Sequence, residues 1–536
     1  MARTLGPVEP AEFAPLTQLD PVEDAAGYRY AFARSPEGTP LLVETHREHT
    51  AYARPSALAF AIGSGEHDRS YAAAVGPLMA FAPLEVLQSE AGRHAALAPG
   101  NSMTAGTRFN SPIGADCLRC HTDDLPDPSW PEDLGPDPAE WSPKGISCGA
   151  CHGQVEQHAA TQTALQGSDP VASGLTDLST LTRLQRVSVC AACHLQGDAS
   201  IELESGAHGL PKVGGDLLDA RAIFVAAKAT DEIGFVSQVE RLALSPCFTQ
   251  SPEMDCSTCH DPHLSLHSPA GDFANRRAVR NACAQCHTPE ACATPAEQRA
   301  QQDCASCHMP RMGVFDVAEV QIHDHYIRRD APRGRGPTPA NRLRVEESPS
   351  ADWRLFSWPG EDPPAYSEDP GLWLLALGGR GHEQRASTYL DKPLGSQSAV
   401  LPNVHHARGL LLEHAGRIEE AEDAYRAAFT IDPDHAQSAI NLALILQGSE
   451  RTQEGLNILD KVIARYPKAE GALRNRAILR LASGNTAGMA ADLEAAFWIR
   501  PSAALASKLA EWYQASGNPT QASRWRSAAT SVDPAY

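Results

Sequence analysis

The stretch DCSTCHDPH (255–263) contains a Cys-x-x-Cys pair followed directly by a histidine. This pentapeptide occurs six times and accounts for twelve of the fourteen cysteines. Such a run is typical of c-type haem attachment, in which two thiols bind the haem and the histidine binds the iron. The sequence therefore predicts six covalently bound haems c. The motif residues are Cys117, Cys120 and His121; Cys148, Cys151 and His152; Cys190, Cys193 and His194; Cys256, Cys259 and His260; Cys283, Cys286 and His287; and Cys304, Cys307 and His308.

Zinc is the alternative partner for paired cysteines, since two such pairs can complete a tetrahedral site. A zinc site does not require a histidine directly after every pair, so the complete pattern favours haem. Successive motifs begin only 31, 42, 66, 27 and 21 residues apart. Few side chains remain between them, so we expect the haems to pack closely and to form the core of this region.

The second axial ligands are expected among the histidines outside the motifs. Ten of these precede residue 330, which is enough for six bis-histidine haems. Four have the most motif-like surroundings: His67, His158, His263 and His325. Weaker candidates are His208, His267 and His323, and the remaining three are His46, His49 and His94. Met309 and Met312 are possible ligands, although packing is the favoured role for both. Bis-histidine ligation would give lower reduction potentials than His/Met ligation.

Two cysteines remain outside the motifs, Cys247 and Cys292. In an oxidising compartment spare thiols commonly pair, but the sequence does not give the distance between them. A disulfide and two separate thiols are therefore both open.

The rest of the chain divides into three regions. Residues 1–110 contain YRYAFAR (28–34), LLVETHR (41–47) and ALAFAIG (57–63), which predict a small β-meander packed on the haem domain (111–330). The stretch 175–189 is expected to be helical and to lead into the third motif. Residues 331–370 are polar and rich in proline, which indicates a linker or an extended strap.

The region 371–536 has an internal repeat. Pro433, Pro467 and Pro501 are 34 residues apart, and Pro534 follows after 33 more. Small residues precede the prolines where paired helices would cross, as at Gly409. A 34-residue period of this kind indicates four tetratricopeptide repeats from about residue 402, with a capping helix pair in 369–400. The histidines of the four repeats are expected at the surface: His405, His406, His414 and His435.

Composition excludes several classes of function. The formal net charge of −21 disfavours general nucleic-acid binding, which needs clustered lysine and arginine. No stretch approaches the roughly 20 apolar residues of a membrane-spanning helix. The sequence therefore predicts a mainly α fold class, with a small N-terminal β-meander, a loop-rich multihaem cytochrome domain and a C-terminal α-solenoid.

In combination, six segments carry a resemblance: IGSGEHDRSY (62–71), GISCGACHG (145–153), VCAACHLQG (189–197), PCFTQSPEMDCSTCHDPH (246–263), DCASCHMP (303–310) and HDHYIRR (323–329). The chain resembles multihaem cytochromes c with C-terminal tetratricopeptide repeats. Its haem region is similar to the tetrahaem cytochrome that accepts electrons from hydroxylamine oxidoreductase. The resemblance implies that His67, His158, His263 and His325 are distal ligands, and implies no such role for His208 or His323.

The N-terminus departs from that family, whose members open with a signal peptide, a further Cys-x-x-Cys-His and a Ser-His-His-Ala-x-x-Met-like stretch. The segment MARTLGPVEPAEFAPLTQLDP (1–21) has no apolar core segment and no clear cleavage site of an export signal. Because haem is attached outside the bacterial cytoplasm, we expect a periplasmic or extracellular protein. We also expect an upstream extension with a seventh haem and a distal histidine.

Three functions are consistent with the sequence. The first is an electron carrier that exchanges electrons with redox partner proteins and uses the repeats to bind a protein or peptide. The second is a multihaem oxidoreductase acting on a small inorganic nitrogen or sulfur compound at a haem with an open site. The third is an assembly protein in which the haems only stabilise the fold. The sequence favours the carrier, and it contains no Cys-x-x-Cys-Lys motif of the usual pentahaem nitrite reductase.

Overall fold

The computed structural model describes residues 4–534 apart from several internal segments. Those segments are residues 64, 66–67, 90–91, 99–107, 115–117, 124, 126–140, 142, 165–174, 205–209, 227–231, 265–268, 289–291, 293–303, 318–319 and 339–351. The chain forms two compact units. The first unit comprises residues 1–146 and 369–536, and the second comprises residues 147–368. The first Cys-x-x-Cys-His motif thus belongs to the first unit and the other five belong to the second.

The first unit begins with an antiparallel sheet of eight strands. Seven strands follow the order β2 to β8 as a meander, and β1 pairs with β5. The strands are β1 Leu5–Pro7, β2 Val22–Glu23, β3 Tyr28–Arg34, β4 Pro40–His46, β5 Ala53–Ile62, β6 Asp68–Val75, β7 Leu78–Ser89 and β8 Gly92–Leu97. The three strands predicted from sequence correspond to β3, β4 and β5. The sheet is larger than the small meander expected, so the fold class is mixed α and β rather than mainly α.

Alternation of side chains along β3 explains one face of the sheet. Tyr28, Tyr30 and Phe32 are buried at every second position, as the two-residue period of a strand requires. Phe13 from the short helix Pro10–Phe13 packs edge-on against Phe32 with ring centroids 5.8 Å apart. This face therefore has an aromatic core of its own.

The C-terminal region consists of four helix pairs, as the 34-residue period predicts. They are Pro402–His414 with Ile418–Ile431, Ala436–Gly448 with Thr452–Arg465, Glu470–Ala482 with Thr486–Ile499, and Ala503–Ala515 with Pro519–Val532. Before them lie the helices Pro370–Gly378 and Glu383–Ala386, where a capping pair was expected. The second of these helices is a single turn. It is followed by 3-10 turns at Ser387–Tyr389 and Ser398–Val400.

Small residues allow the paired helices to approach closely. A Cβ added at Gly409 would lie 2.5 Å from Cε1 of Tyr425 on the second helix of the first pair. Ala421 and Ala428, which flank Tyr425 on that helix, are completely buried. The small-residue pattern thus marks the contact surface between the two helices.

Ion pairs connect neighbouring repeats. Arg426 donates to Glu422 on its own helix and to Glu454 of the next repeat at 2.7 Å. Arg451 completes the group, with a contact of 2.7 Å to Glu422 and one of 2.6 Å to Glu454. Because these side chains are partly exposed, the group contributes mainly to the alignment of the repeats.

Within the first unit, the sheet packs against the last repeats. Leu78, at the start of β7, belongs to the buried cluster of the repeat helices. Arg108 Nη2 donates to the carbonyl oxygen of Val532 at 2.8 Å, and its Nε donates to Glu44 Oε2 at 2.9 Å. The Tyr52 hydroxyl donates to Glu44 Oε1 at 2.6 Å. A buried ion pair thus joins the sheet to the C-terminal end of the last repeat helix.

The second unit is built from short elements. Its helices are Gly149–His152, Val155–Ala164, Arg183–His194, Leu217–Ala220, Gln238–Leu242, Pro246–Gln250, Pro269–Cys286 and Cys304–His308. Its strands are β9 Ala199–Glu202, β10 Arg221–Ala226, β11 Arg311–Gly313, β12 Gln321–His323 and β13 Trp353–Leu355. Strands β13, β10 and β9 form one antiparallel sheet, and β11 pairs with β12.

The helix expected over 175–189 begins later than predicted. Thr182 and Gln185 form a capping box, so the helix starts at Arg183 and runs to His194. The residues before it form a 3-10 turn, Leu178–Thr180, capped by Asp177. The third motif therefore lies on the last turn of the helix rather than after it.

The chain between residues 352 and 368 lies against the second unit. Strand β13 pairs with β10, and the following Phe356 and Trp358 are buried. Trp358 Nε1 donates to Asp216 Oδ1 at 2.9 Å, and the Tyr366 hydroxyl lies 3.2 Å from the carbonyl oxygen of Arg221. Aromatic side chains thus attach this polar segment to the unit.

In the part of the chain that the structure describes, no helix is both long enough and apolar enough to cross a bilayer.

Candidate functional site

The second, fourth and fifth Cys-x-x-Cys-His motifs each include a helical turn. The amide of His152 donates to the carbonyl oxygen of Cys148 at 2.9 Å, that of His260 to Cys256 at 3.0 Å, and that of His287 to Cys283 at 2.9 Å. These i to i−4 bonds bring the histidine to the same side of the turn as the first cysteine. In the first motif, Cys117 lies outside the described residues, while Cys120 and His121 are half-buried.

Thiols from different motifs lie beside one another in the second unit. Cys190 and Cys256 form a hydrogen bond that raises the pKa of Cys190 and lowers that of Cys256. Burial, together with the neighbouring Cys304 and Cys259, raises the pKa of Cys283 to about 11. The third and fourth motifs thus meet, as do the fifth and sixth. The first cysteines of the fifth and sixth motifs are only 21 residues apart, whereas those of the third and fourth are 66 residues apart and are brought together by the fold.

Two motif histidines face histidines from outside the motifs. The rings of His152 and His263 have centroids 6.1 Å apart and planes inclined by 11°. The rings of His260 and His325 have centroids 6.2 Å apart and planes inclined by 33°. Both outer partners, His263 and His325, are among the four distal-ligand candidates. The structure thus brings a proximal and a distal candidate together twice, each time from different parts of the chain.

Hydrogen bonds determine which nitrogen of several rings carries the proton. His325 Nδ1 lies 2.9 Å from the carbonyl oxygen of His323, and His308 Nδ1 lies 3.0 Å from that of Arg328. A carbonyl oxygen can only accept, so Nδ1 donates and Nε2 keeps a free lone pair. His194 Nδ1 likewise faces Gln238 Oε1 at 3.4 Å. These neutral imidazoles present the nitrogen that a metal ligand needs.

Burial lowers the pKa of His325 to about 4, and it also lowers the pKa values of His194 and His121. The His263 ring is exposed, and its Nδ1 lies 3.5 Å from the Asp261 carboxylate. That carboxylate also accepts from the His263 amide at 2.9 Å, which orients the residue within its turn.

The other candidates are distributed as follows. His158 is half-buried on the helix Val155–Ala164, and His287 is exposed. Met312 is fully buried in a cluster with Ile233, Val314 and Val320, which agrees with the packing role favoured for it. The remaining candidates on undescribed residues are His67, His208 and His267. Of the two cysteines outside the motifs, Cys247 is half-buried near Cys259, Cys283 and Cys286, and Cys292 is exposed. Both alternatives for Cys247 and Cys292, a disulfide and two separate thiols, stay open.

Sequence reasoning missed the residues that hold His325. Asp324 is completely buried and forms a two-pronged ion pair with Arg241, with contacts of 2.8 and 2.7 Å. Ser245 donates from Oγ to the carbonyl oxygen of His325 at 2.9 Å. The acidic residue between two histidines in HDH (323–325) is the sequence signal that could have revealed this arrangement.

Two histidines of the repeats that were expected at the surface, His406 and His435, are half-buried instead. The centroids of their rings lie 5.3 Å apart. His406 Nδ1 lies 3.0 Å from the Ser438 hydroxyl, and His435 Nε2 donates to Asn403 Oδ1 at 2.7 Å. They connect the first helices of two neighbouring repeats, a contact that a single-repeat pattern does not show.

Comparison with known proteins identifies the repeats. The tetratricopeptide repeat family matches residues 402–435. Among the solved structures that resemble the chain is MamA from Desulfovibrio magneticus RS-1, with 14% identity and a TM-score of 0.28; the match covers 31% of this chain and 97% of MamA. Another is pilF of Pseudomonas aeruginosa, with 18% identity and a TM-score of 0.27; that match covers 30% of this chain and 75% of pilF. No curated protein matches the chain. The C-terminal helices thus include a repeat type that serves in protein–protein interaction.

Proposed function

We propose that this protein is an exported multihaem c-type cytochrome. Six haems c are attached through the six motifs, and electrons pass through them one at a time. The repeats bind a protein or peptide, and redox partner proteins donate and accept the electrons. The periplasm or the cell exterior is the proposed location.

The proposed binding residues follow from the motifs. The twelve motif cysteines supply the covalent attachments, and the motif histidines supply the proximal iron ligands. His263 and His325 are the proposed distal ligands opposite His152 and His260. His67 and His158 are proposed as distal ligands of other haems.

The separation of the two histidine pairs carries this proposal. A metal–imidazole nitrogen bond is about 2.0 Å, and a ring nitrogen lies about 1.2 Å from the ring centre. Two imidazoles binding one metal from opposite sides therefore have centroids about 6.4 Å apart. The observed separations of 6.1 and 6.2 Å fit this arrangement. They are too long for a hydrogen bond between the rings that would otherwise explain the approach.

Haem would supply the one-electron chemistry of such a protein, and the residues around it would set its reduction potential. Bis-histidine ligation would lower that potential relative to His/Met ligation. The carbonyl oxygens that accept from His325 and His308 hold the rings in the required tautomer. Thiols of successive motifs lie beside one another, Cys190 with Cys256 and Cys283 with Cys304. This proximity supports short distances between successive haems.

Intact mass spectrometry under denaturing conditions tests the proposal, because covalent haems survive denaturation. The full chain, directed to the periplasm of a host that matures cytochromes c, is expected to carry six haems. Replacing Cys256 and Cys259 together by alanine should remove one haem, whereas replacing the exposed His414 should remove none. Absence of covalent haem from the unaltered protein would overturn the proposal.

Spectroscopy of the same preparation separates the carrier from the oxidoreductase. Six low-spin haems that do not bind added small ligands would support the carrier. A high-spin haem that binds nitrite, hydroxylamine or sulfite would instead support the multihaem oxidoreductase with an open site.

A further inference from the structure

The short helix Gln238–Leu242 contacts the surroundings of two proposed haem ligands. Its first residue, Gln238, faces His194 of the third motif, and Arg241 binds Asp324, which directly precedes His325. His194 and His325 are separated by 131 residues in the sequence. No feature of the sequence places one helix between them.

Arg241 and Asp324 form the stronger of the two contacts. Nε and Nη2 of Arg241 donate to separate carboxylate oxygens of Asp324 at 2.8 and 2.7 Å. The side chains are 6% and 0% exposed. A two-pronged pair of this kind is directional as well as strong, so it determines where the backbone of Asp324 lies.

The same chain segment holds the next residue from the other side. Ser245 Oγ donates to the carbonyl oxygen of His325 at 2.9 Å and accepts from the amide of Ile327 at 2.8 Å. Asp324 Oδ1 accepts from the amide of Tyr326 at 2.9 Å. The loop that carries His325 is therefore tied to residues 241–245 by side chains on both sides of the histidine.

At its other end the helix orients His194. Gln238 Nε2 donates to the carbonyl oxygen of Phe235 at 2.9 Å, so Oε1 is the atom that faces His194 Nδ1. Nδ1 must then carry the proton, which leaves Nε2 for the iron.

We propose that the helix Gln238–Leu242 positions ligands of two different haems: His194 of the third motif through Gln238, and His325, opposite His260, through Arg241 and Asp324. This inference rests on the proposed function. Gln238, Arg241 and Asp324 act through the two histidines and bind no iron themselves.

The charge of the ion pair gives this proposal a directional test. Together Arg241 and Asp324 are neutral, so the intact pair adds little net field at the haem. Asp324→Asn leaves a buried positive charge, which favours the reduced state and raises the potential. Arg241→Gln leaves the buried Asp324 carboxylate with only the more distant and partly exposed Arg328, 3.8 Å away, so the added negative charge lowers the potential. A purely structural role predicts no such opposite signs.

The experiment uses the full-length holoprotein and its optically resolved redox titration, with haem count and electron paramagnetic resonance recorded for every variant. We expect one haem of six to shift upward in Asp324→Asn and downward in Arg241→Gln. Gln238→Leu, which changes no charge, is expected to alter the low-spin signal of a second haem. Asp492→Asn is the matched control, because Asp492 forms a similarly buried two-pronged pair with Arg476 in the repeats. No haem potential should change in that control.

Shifts of the same sign in both charge variants, shifts spread over all haems, or unchanged potentials would overturn the positioning role while leaving the cytochrome proposal intact. So would an effect of Gln238→Leu on the same haem that Asp324→Asn moves. If the two charge variants fail to fold, Arg241→Lys decides: it keeps the charge, so the potential should stay while the distal-ligand signal broadens. An unchanged signal there would contradict the proposal. Absence of covalent haem from the unaltered protein would instead remove both proposals.

Discussion

The imidazole rings of His152 and His263 lie with centroids 6.1 Å apart and planes only 11° from parallel. One ends the turn of the second motif, and the other follows the fourth motif by three residues. The neighbouring pair, His260 and His325, repeats the spacing at 6.2 Å. His260 and His263, three residues apart in the fourth motif region, thus belong to two different pairs. The pair of His263 with His152 connects the second and fourth motif regions directly.

His263→Ala is expected to leave one haem of the holoprotein without its distal ligand. That haem should become high-spin and bind added carbon monoxide or cyanide, while the other five keep their spectra. Optical and electron paramagnetic resonance spectra measure the change, with His414→Ala as the control histidine from the repeats. Unaltered low-spin signals in His263→Ala would contradict the assignment of this pair.

Glu44→Gln is expected to destabilise the first unit by about 3 kcal/mol, because it removes the nearer counter-charge of the buried Arg108 guanidinium and leaves only Asp533, at 3.8 Å. Glu44 is completely buried, and Arg108 holds a backbone φ of +50°, which is uncommon for a residue with a side chain. Chemical denaturation followed by circular dichroism measures the loss. Glu23→Gln is the control, since Glu23 pairs with exposed arginines on the same sheet and should change little. Equal stability of both variants would show that the buried pair does not hold the sheet to the repeats.

Gly409→Ala is expected to separate the first repeat pair, at a cost of about 1–3 kcal/mol. The added methyl would lie 2.5 Å from Cε1 of Tyr425, whose ring is buried and cannot move freely. Gly448→Ala is a matched control on the second repeat, where nothing lies within 4 Å of the new atom. Thermal unfolding of the two variants should differ clearly. A Gly409→Ala protein as stable as the control would contradict the close packing of these helices.

Glu240 is expected to make stability depend on pH. Burial, aided by Asp198, raises the pKa of its carboxyl group from 4.5 to about 8, and its Oε2 has no hydrogen-bond partner among the described residues. Between these pH values the folded chain holds the proton more tightly than the unfolded chain, so the free energy of unfolding falls as pH rises from about 4.5 to about 8.

Glu240→Gln should remove that part of the decline and make the protein more stable than the unaltered chain at pH 8. The expected difference is on the order of a few kcal/mol. Melting temperatures at pH 5 and pH 8 measure it. The prediction is wrong if both proteins lose the same stability over this range.

Periodic features of this chain could be predicted from sequence. The repeat prolines and the glycine at position 409 predicted helix pairs, because a 34-residue period is a local property of each repeat. The start of the helix at Arg183 was missed by several residues, since the capping box of Thr182 and Gln185 is a weaker signal than the apolar residues before it. The size of the sheet was also underestimated, because β6 and β7 contain apolar runs, AAAV (72–75) and LMAFAPL (78–84), without clear alternation.

The sequence proposes which residues form the candidate site but not which of them pair. The motifs supply the candidate cysteines and proximal histidines, and the surroundings of His263 and His325 suggest ligands. The sequence contains no information on which rings face one another, because the partners are brought together by the fold over separations of 111 and 65 residues. The surface position expected for His406 failed for the same reason, since Ser438 belongs to another repeat.

The sequence by itself determined the residue types of the proposed ligands, the repeat period and the spacing of the motifs, because each depends on residues close together in the chain. Only the tertiary structure decided that His152 faces His263 and that His260 faces His325. It also decided that one helix contacts the surroundings of both His194 and His325, and that Arg108 joins the sheet to the last repeat. These relationships depend on long-range packing and on buried charges that must find partners, and neither follows from local sequence.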